Sequence, residues 1–199
     1  MSRLSRSAAP LACAFAALAV LVAVGAFTRV DQWSIDHVMP GASFHHAQGG
    51  LLDGLVPLLH SRWSSPFAVT VNIVTLPASF LIALAIAFAC SRAFGIVLTA
   101  AVAVEVLCKE LLVRPALHHG SFHIATFDSS FPSGHALRTV IVAGAIASTR
   151  PRTRSFVGAW AIGSIALLLL AGWHTPTDLA GGVLLGGLAL LGARRLGAD

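Results

Sequence analysis

The chain has 199 residues, of which 56% are hydrophobic and 11% charged, with a mean hydropathy of +0.83 and a formal net charge of +5. A soluble domain carries about a quarter charged residues, so these figures exclude a water-soluble globule and a disordered chain and point to an integral membrane protein. Lys109 is the only lysine among 13 basic residues, and no basic patch is interleaved with aromatics, which excludes nucleic acid as a partner.

A helix needs about 20 apolar residues to cross a bilayer. In chain order, six stretches read as spans: 10–27, 67–90 with Pro77 as a kink point, 95–113, 133–148, 156–172 and 176–191. The first is long for a signal-peptide core, and its one small-x-small site, Ala23-Val24-Gly25, is weak, so it reads as a retained helix. Between the first two spans, residues 30–66 form a polar outer loop with Trp33 and Trp63 as interfacial anchors. Its apolar segment 51–60 is too short to span, and reads equally as an interfacial helix or a packed loop. Cys13, Cys90 and Cys108 have neither disulfide nor metal-ligand spacing. No repeat or composition break divides the chain. The expectation is one all-α domain over 1–199, a polytopic bundle of six transmembrane helices. With a cytoplasmic N-terminus, six crossings place eight of the 13 basic residues inside (Arg3, Arg6, Arg92, Arg150, Arg152, Arg154, Arg194 and Arg195), with Arg29 and Arg62 in an outer loop. The positive-inside bias thus puts both termini in the cytoplasm.

Charges inside spans are costly and call for a reason. Glu105 and Lys109 stand four residues apart on one face of the third span and can pair, either as a structural ion pair or to hold the lysine beside a polar cavity. After the outer-loop pair Arg114-Pro115, the segment Phe131-Pro132-Ser133-Gly134-His135 opens the fourth span. A helix start there aims unpaired N–H groups at an anion. Ser133 adds a hydroxyl, Gly134 permits close approach, and His135 can give or take a proton; the plainer reading is a cap followed by a buried histidine. At Trp173-His174-Thr175-Pro176-Thr177-Asp178, Thr175 is an expected N-cap with Pro176 at the first helical position. Asp178 can hold one ring nitrogen of His174 and leave the other as nucleophile, or can simply cap the helix. The six-span plan brings all three segments to the outer face, where cationic donors around a histidine suit phosphoryl transfer without a metal or other cofactor. His119, His123 and Asp128 complete no metal-ligand set.

The region from Lys109 to Asp178 resembles the type 2 phosphatidic acid phosphatase superfamily, membrane lipid phosphatases with the pattern Lys-x6-Arg-Pro, Pro-Ser-Gly-His and Ser-Arg-x5-His-x3-Asp. The middle motif is complete at Pro132-Ser133-Gly134-His135. The resemblance implies that His174 attacks phosphorus, Asp178 orients it, His135 protonates the leaving oxygen, and Lys109 with the Ser133 and Gly134 amides holds the phosphate. Two departures stand out. The first motif is shortened to Lys109-x4-Arg114-Pro115, with Arg114 a shifted phosphate contact. Leu167 and Leu168 occupy the Ser-Arg positions of the third. Arg138, one turn beyond His135, is a candidate replacement, paired to Glu105, to a bound phosphate, or to both in turn.

The expected function is therefore hydrolysis of a lipid phosphate or diphosphate through a phosphohistidine. A polyprenyl diphosphate is favoured by similarity to compact bacterial enzymes that recycle the cell-wall carrier, with phosphatidic acid and phosphatidylglycerol phosphate as other substrates. A lipid phosphotransferase using the same intermediate is one alternative; a non-catalytic protein binding a polyprenyl phosphate or phospholipid is another. The Ala- and Arg-rich, Lys-poor composition suggests a bacterial plasma membrane as the location, with the site on the extracytoplasmic side.

Overall fold

The computed structural model describes residues 3–39 and 66–197. The expected interfacial segment 51–60, together with Arg62 and Trp63, lies outside the described residues. The chain runs α1 (Arg3–Ala23), α2 (Thr28–His37), α3 (Pro66–Thr75), α4 (Phe80–Cys90), α5 (Arg92–Leu111), α6 (Gly134–Thr149), α7 (Arg154–Leu170) and α8 (Pro176–Leu196). Two-residue strands β1 (His118–His119) and β2 (Phe122–His123) form a small antiparallel hairpin in the α5–α6 connection.

Every stretch read as a span falls on a helix, although the helices differ in what length and composition alone allow. Among the described residues, three stretches are long and apolar enough to cross a membrane: Val69–Cys90, Pro151–Leu170 and Pro176–Leu196. A fourth is reached if Ala8–Ala23 and Thr28–His37, bent by 76°, count as one broken span. Helix α6 has only 16 residues, and α5 carries Arg92, Glu105, Lys109 and Glu110.

Pro77 acts as its chemistry requires. It cannot donate to the helical ladder, and a 3-10 turn, Leu76–Ala78, separates α3 from α4. Neighbouring helices take up carbonyls on either side of the break: Trp160 Nε1 donates to Val74 O at 2.9 Å, and Arg138 Nε donates to Ala78 O at 2.7 Å. Broken helices persist in an apolar bundle when other helices satisfy the freed groups in this way.

The main core gathers small and branched residues from α4, α5, α6 and α8, among them Ala83, Ala87, Leu98, Leu137, Ile141 and Ala189. Small side chains let helix backbones approach closely, which is how helices associate without a strong hydrophobic drive. The α6–α8 contact is the clearest case, because a Cβ on Gly182 would collide with the carbonyl of Ser133. Other large apolar side chains point outward: Phe156 is 76% and Ile162 73% exposed. The starts of α6 and α8 and the end of α5 thereby meet at one end of the bundle, and the α3–α4 break lies beside Arg138, a turn inside α6.

Candidate active site

Two capped helix starts build the floor of this end. Ser133 caps α6, its Oγ accepting from Ala136 N at 3.2 Å. Thr175 caps α8 with Pro176 in the first turn, as expected, and Asp178 completes a capping box by accepting from Thr175 N at 3.1 Å. The two starts are tied together, since Ser133 N donates to the Asp178 carbonyl at 2.9 Å. The Ser133 amide is therefore already engaged.

Asp178 lies at the centre of a buried polar cluster. Its Oδ2 also accepts from Ser130 Oγ at 2.7 Å, and its Oδ1 pairs with Arg114 NH1 at 3.1 Å. Arg114 NH1 further donates to Thr175 Oγ1 at 3.1 Å, while NH2 pairs with Asp31 of α2. Asp31 in turn accepts from the Thr177 hydroxyl at 2.6 Å and the Thr177 amide at 3.2 Å. Asp31, Arg114 and Asp178 are all buried. A guanidinium held between two carboxylates with hydroxyl and amide donors around them is the arrangement that makes buried charge tolerable.

His174 stands against this cluster. Its Nδ1 lies 3.9 Å from Asp178 Oδ2, an ion-pair distance beyond hydrogen-bond reach, and it is buried with no hydrogen-bond partner among the described residues. Burial holds the imidazole below the ordinary histidine value of 6.5, which favours the neutral ring. The ring of His135, in the first turn of α6, lies 5.9 Å from that of His174 and meets Trp173 edge-on at 5.5 Å. Two imidazoles from different helix starts thus face each other beside one carboxylate.

A second ionic group sits on the α5 side. Glu105 Oε1 pairs with Lys109 Nζ at 2.7 Å, and Oε2 with Arg138 NH1 at 3.1 Å. Glu105 and Arg138 are buried, whereas the Lys109 side chain is 31% exposed. Gly134 is needed for the carboxylate: a Cβ there would collide with both oxygens of Glu105.

The structure thus places His135, His174, Asp178, Ser133 and Arg114 together and sets Lys109, Gly134 and Arg138 around Glu105. Leu168, at the position where the motif has arginine, is fully buried against Ala136 and Leu179. In the hairpin loop, His123 Nε2 pairs with Asp128 Oδ1 at 2.8 Å, and no group of three or more potential metal ligands gathers among the described residues. Sequence reasoning missed Asp31, which reads as a solvated acid in a polar loop. The available signal was its i, i+3, i+4 spacing with Ser34 and Ile35, all three of which are buried.

A family model described as PAP2 superfamily matches residues 93–198 of the chain, a segment that holds the α5 and α6 ionic group and both histidines and leaves out α1 and α2. Neither the curated proteins nor the solved structures contain a significant match.

Proposed function

The chain belongs to the PAP2 superfamily, a family of phosphatases acting on phosphate esters, and on that premise we propose that it is an integral-membrane lipid phosphatase working through a phosphohistidine at His174. The observation that carries the reading is the facing pair of imidazoles, 5.9 Å apart, with Asp178 behind one of them. In the first step the Nε2 lone pair of His174 forms a bond to the terminal phosphorus while the bond from that phosphorus to its bridging oxygen breaks, releasing the lipid alcohol from a monoester or the lipid monophosphate from a diphosphate. His135 gives its proton to that departing oxygen. Water then attacks the phosphorus while the P–N bond to His174 Nε2 breaks, His135 takes the water's proton, and inorganic phosphate leaves with the free imidazole restored. Asp178 steadies the positive charge that builds on the His174 ring, tightening from 3.9 Å as apo contacts do in a reacting complex. Lys109 and the first turn of α6 hold the phosphate oxygens, and Arg114 and Asp31 hold Asp178.

The bundle crosses a bacterial plasma membrane six times, as α1, α3–α4, α5, α6, α7 and α8, with both termini cytoplasmic and the site outward. Support for counting α5 and α6 as spans comes from Glu105 and Arg138, mid-helix charges that are buried and pair with each other inside the bundle. The substrate is an amphiphile that enters headgroup first, a polyprenyl diphosphate ahead of phosphatidic acid or phosphatidylglycerol phosphate.

Phosphate release by purified protein in detergent with EDTA tests this, comparing a prenyl diphosphate with phosphatidic acid, and wild type with His174→Ala. Release by wild type alone is expected, and quenching in alkaline SDS should trap a phosphorylated protein whose phosphate is alkali-stable and acid-labile. Equal release by His174→Ala would remove the nucleophile, and no release from either lipid would remove the phosphatase.

A further inference from the structure

The three groups best suited to bind a phosphate on the α5 side all converge on a carboxylate. Glu105 holds the Lys109 ammonium at 2.7 Å and the Arg138 guanidinium at 3.1 Å. Its oxygens also press against Gly134, the first residue of α6, where the positive end of the helix favours an anion. An ammonium, a guanidinium and a helix start are the donors a phosphate oxygen seeks.

The charges of the whole site sharpen the point. Lys109, Arg114 and Arg138 contribute three positive charges, and Asp31, Glu105 and Asp178 three negative ones, each cation already in an ion pair. Among the described residues an incoming phosphate meets no uncompensated cation in this group, so one of these pairs must open. Arg114 is buried between two carboxylates, and Arg138 is buried with a second anchor on the Ala78 carbonyl. Lys109 is 31% exposed, on a long flexible stem, and can swing away at low cost.

We propose that Glu105 is the resident anion of the phosphate subsite: it holds Lys109 when the site is empty, and a substrate phosphoryl group must displace it from the ammonium to bind. This rests on the phosphatase reading above, and makes Glu105 a residue that weakens phosphate affinity in exchange for neutralising two cations inside the bundle.

The test is equilibrium binding of inorganic phosphate to purified protein in detergent, which needs no turnover. Glu105→Gln should bind phosphate about tenfold more tightly than wild type, the size of one additional charge-assisted hydrogen bond. Because the single change leaves Arg138 buried without its ion pair, the same tightening is to be read between Arg138→Gln and the double variant Glu105→Gln/Arg138→Gln. Adding Lys109→Met should erase it. Equal, weaker or undetectable phosphate binding on removing the carboxylate in both backgrounds overturns the proposal. A wild type that releases no phosphate from either lipid defeats the phosphatase reading alone, whereas active wild type with no tighter binding in the variants defeats only the role of Glu105.

Discussion

The two ionic groups at the active end have similar inventories and opposite constructions. On the α2–α8 side, Asp31, Arg114 and Asp178 are buried and cross-braced by Thr175, Thr177 and Ser130. On the α5–α6 side, Glu105 and Arg138 are buried, while Lys109 reaches the rim. The first group has no member that can leave without stranding a charge in a dry interior, which suits the task of holding Asp178 behind His174. The second has one exchangeable member, which suits the task of meeting a charged substrate. Under the proposed function, one site is rigid beside its proposed nucleophile and yielding where the proposed phosphate would enter.

Breaking the rigid side should produce the largest effects. His174→Ala is expected to lower kcat by about 10⁴-fold or more, since losing a nucleophile removes the reaction path and not merely one contact; phosphate release in detergent measures it, and circular dichroism checks that the helices remain. Asp31→Asn should cost about 3 kcal/mol of stability, because it takes one partner from a buried charge pair, read as an earlier thermal unfolding transition in detergent. An unchanged transition would mean that Thr175 and Asp178 hold Arg114 unaided.

The yielding side should respond more mildly. Lys109→Met is expected to raise KM about tenfold, through loss of a charge-assisted phosphate contact, while costing less than about 1 kcal/mol of stability, as for other half-exposed ion pairs. A stability loss as large as that of Asp31→Asn would erase the distinction between the two sides. The smallest effect is on pH. Burial lowers the His174 pKa below 6.5, so the neutral nucleophile persists as pH falls through 6.5, and the acid limb of kcat/KM should lie below that value. The same shift means that protonation favours the unfolded chain, so any stability owed to this histidine is lost on acidification rather than increased. An acid limb at or above 6.5 would place His174 in a wetter setting than its burial indicates.

Much of this arrangement is legible in the chain. Apolar runs marked the helices, Pro77 marked the break, and Ser133, Thr175 and Pro176 marked two helix starts, because capping and periodicity are local and need only a few neighbouring residues. The Glu105–Lys109 pair followed from i,i+4 spacing, and the cost of an unpaired charge in a span called for a partner to Arg138, with Glu105 one of those open to it. Asp31 was hidden for the opposite reason. Its partners lie 83 and 146 residues away, and the spacing with Ser34 and Ile35 is the one trace of burial within its own helix. The bend after α1, where α2 departs at 76°, was likewise invisible to hydropathy, which saw only a polar stretch.

Local pattern by itself thus determined that this is a helical, membrane-suited chain whose motif histidines sit at or beside helix starts. Tertiary structure decided which carboxylates the two arginines would meet: Arg114 with Asp31 and Asp178, and Arg138 with Glu105. The reason is that an ion pair in a dry interior is chosen by geometry among several chemically equivalent partners, and sequence spacing does not rank partners that only helix packing brings within about 4 Å.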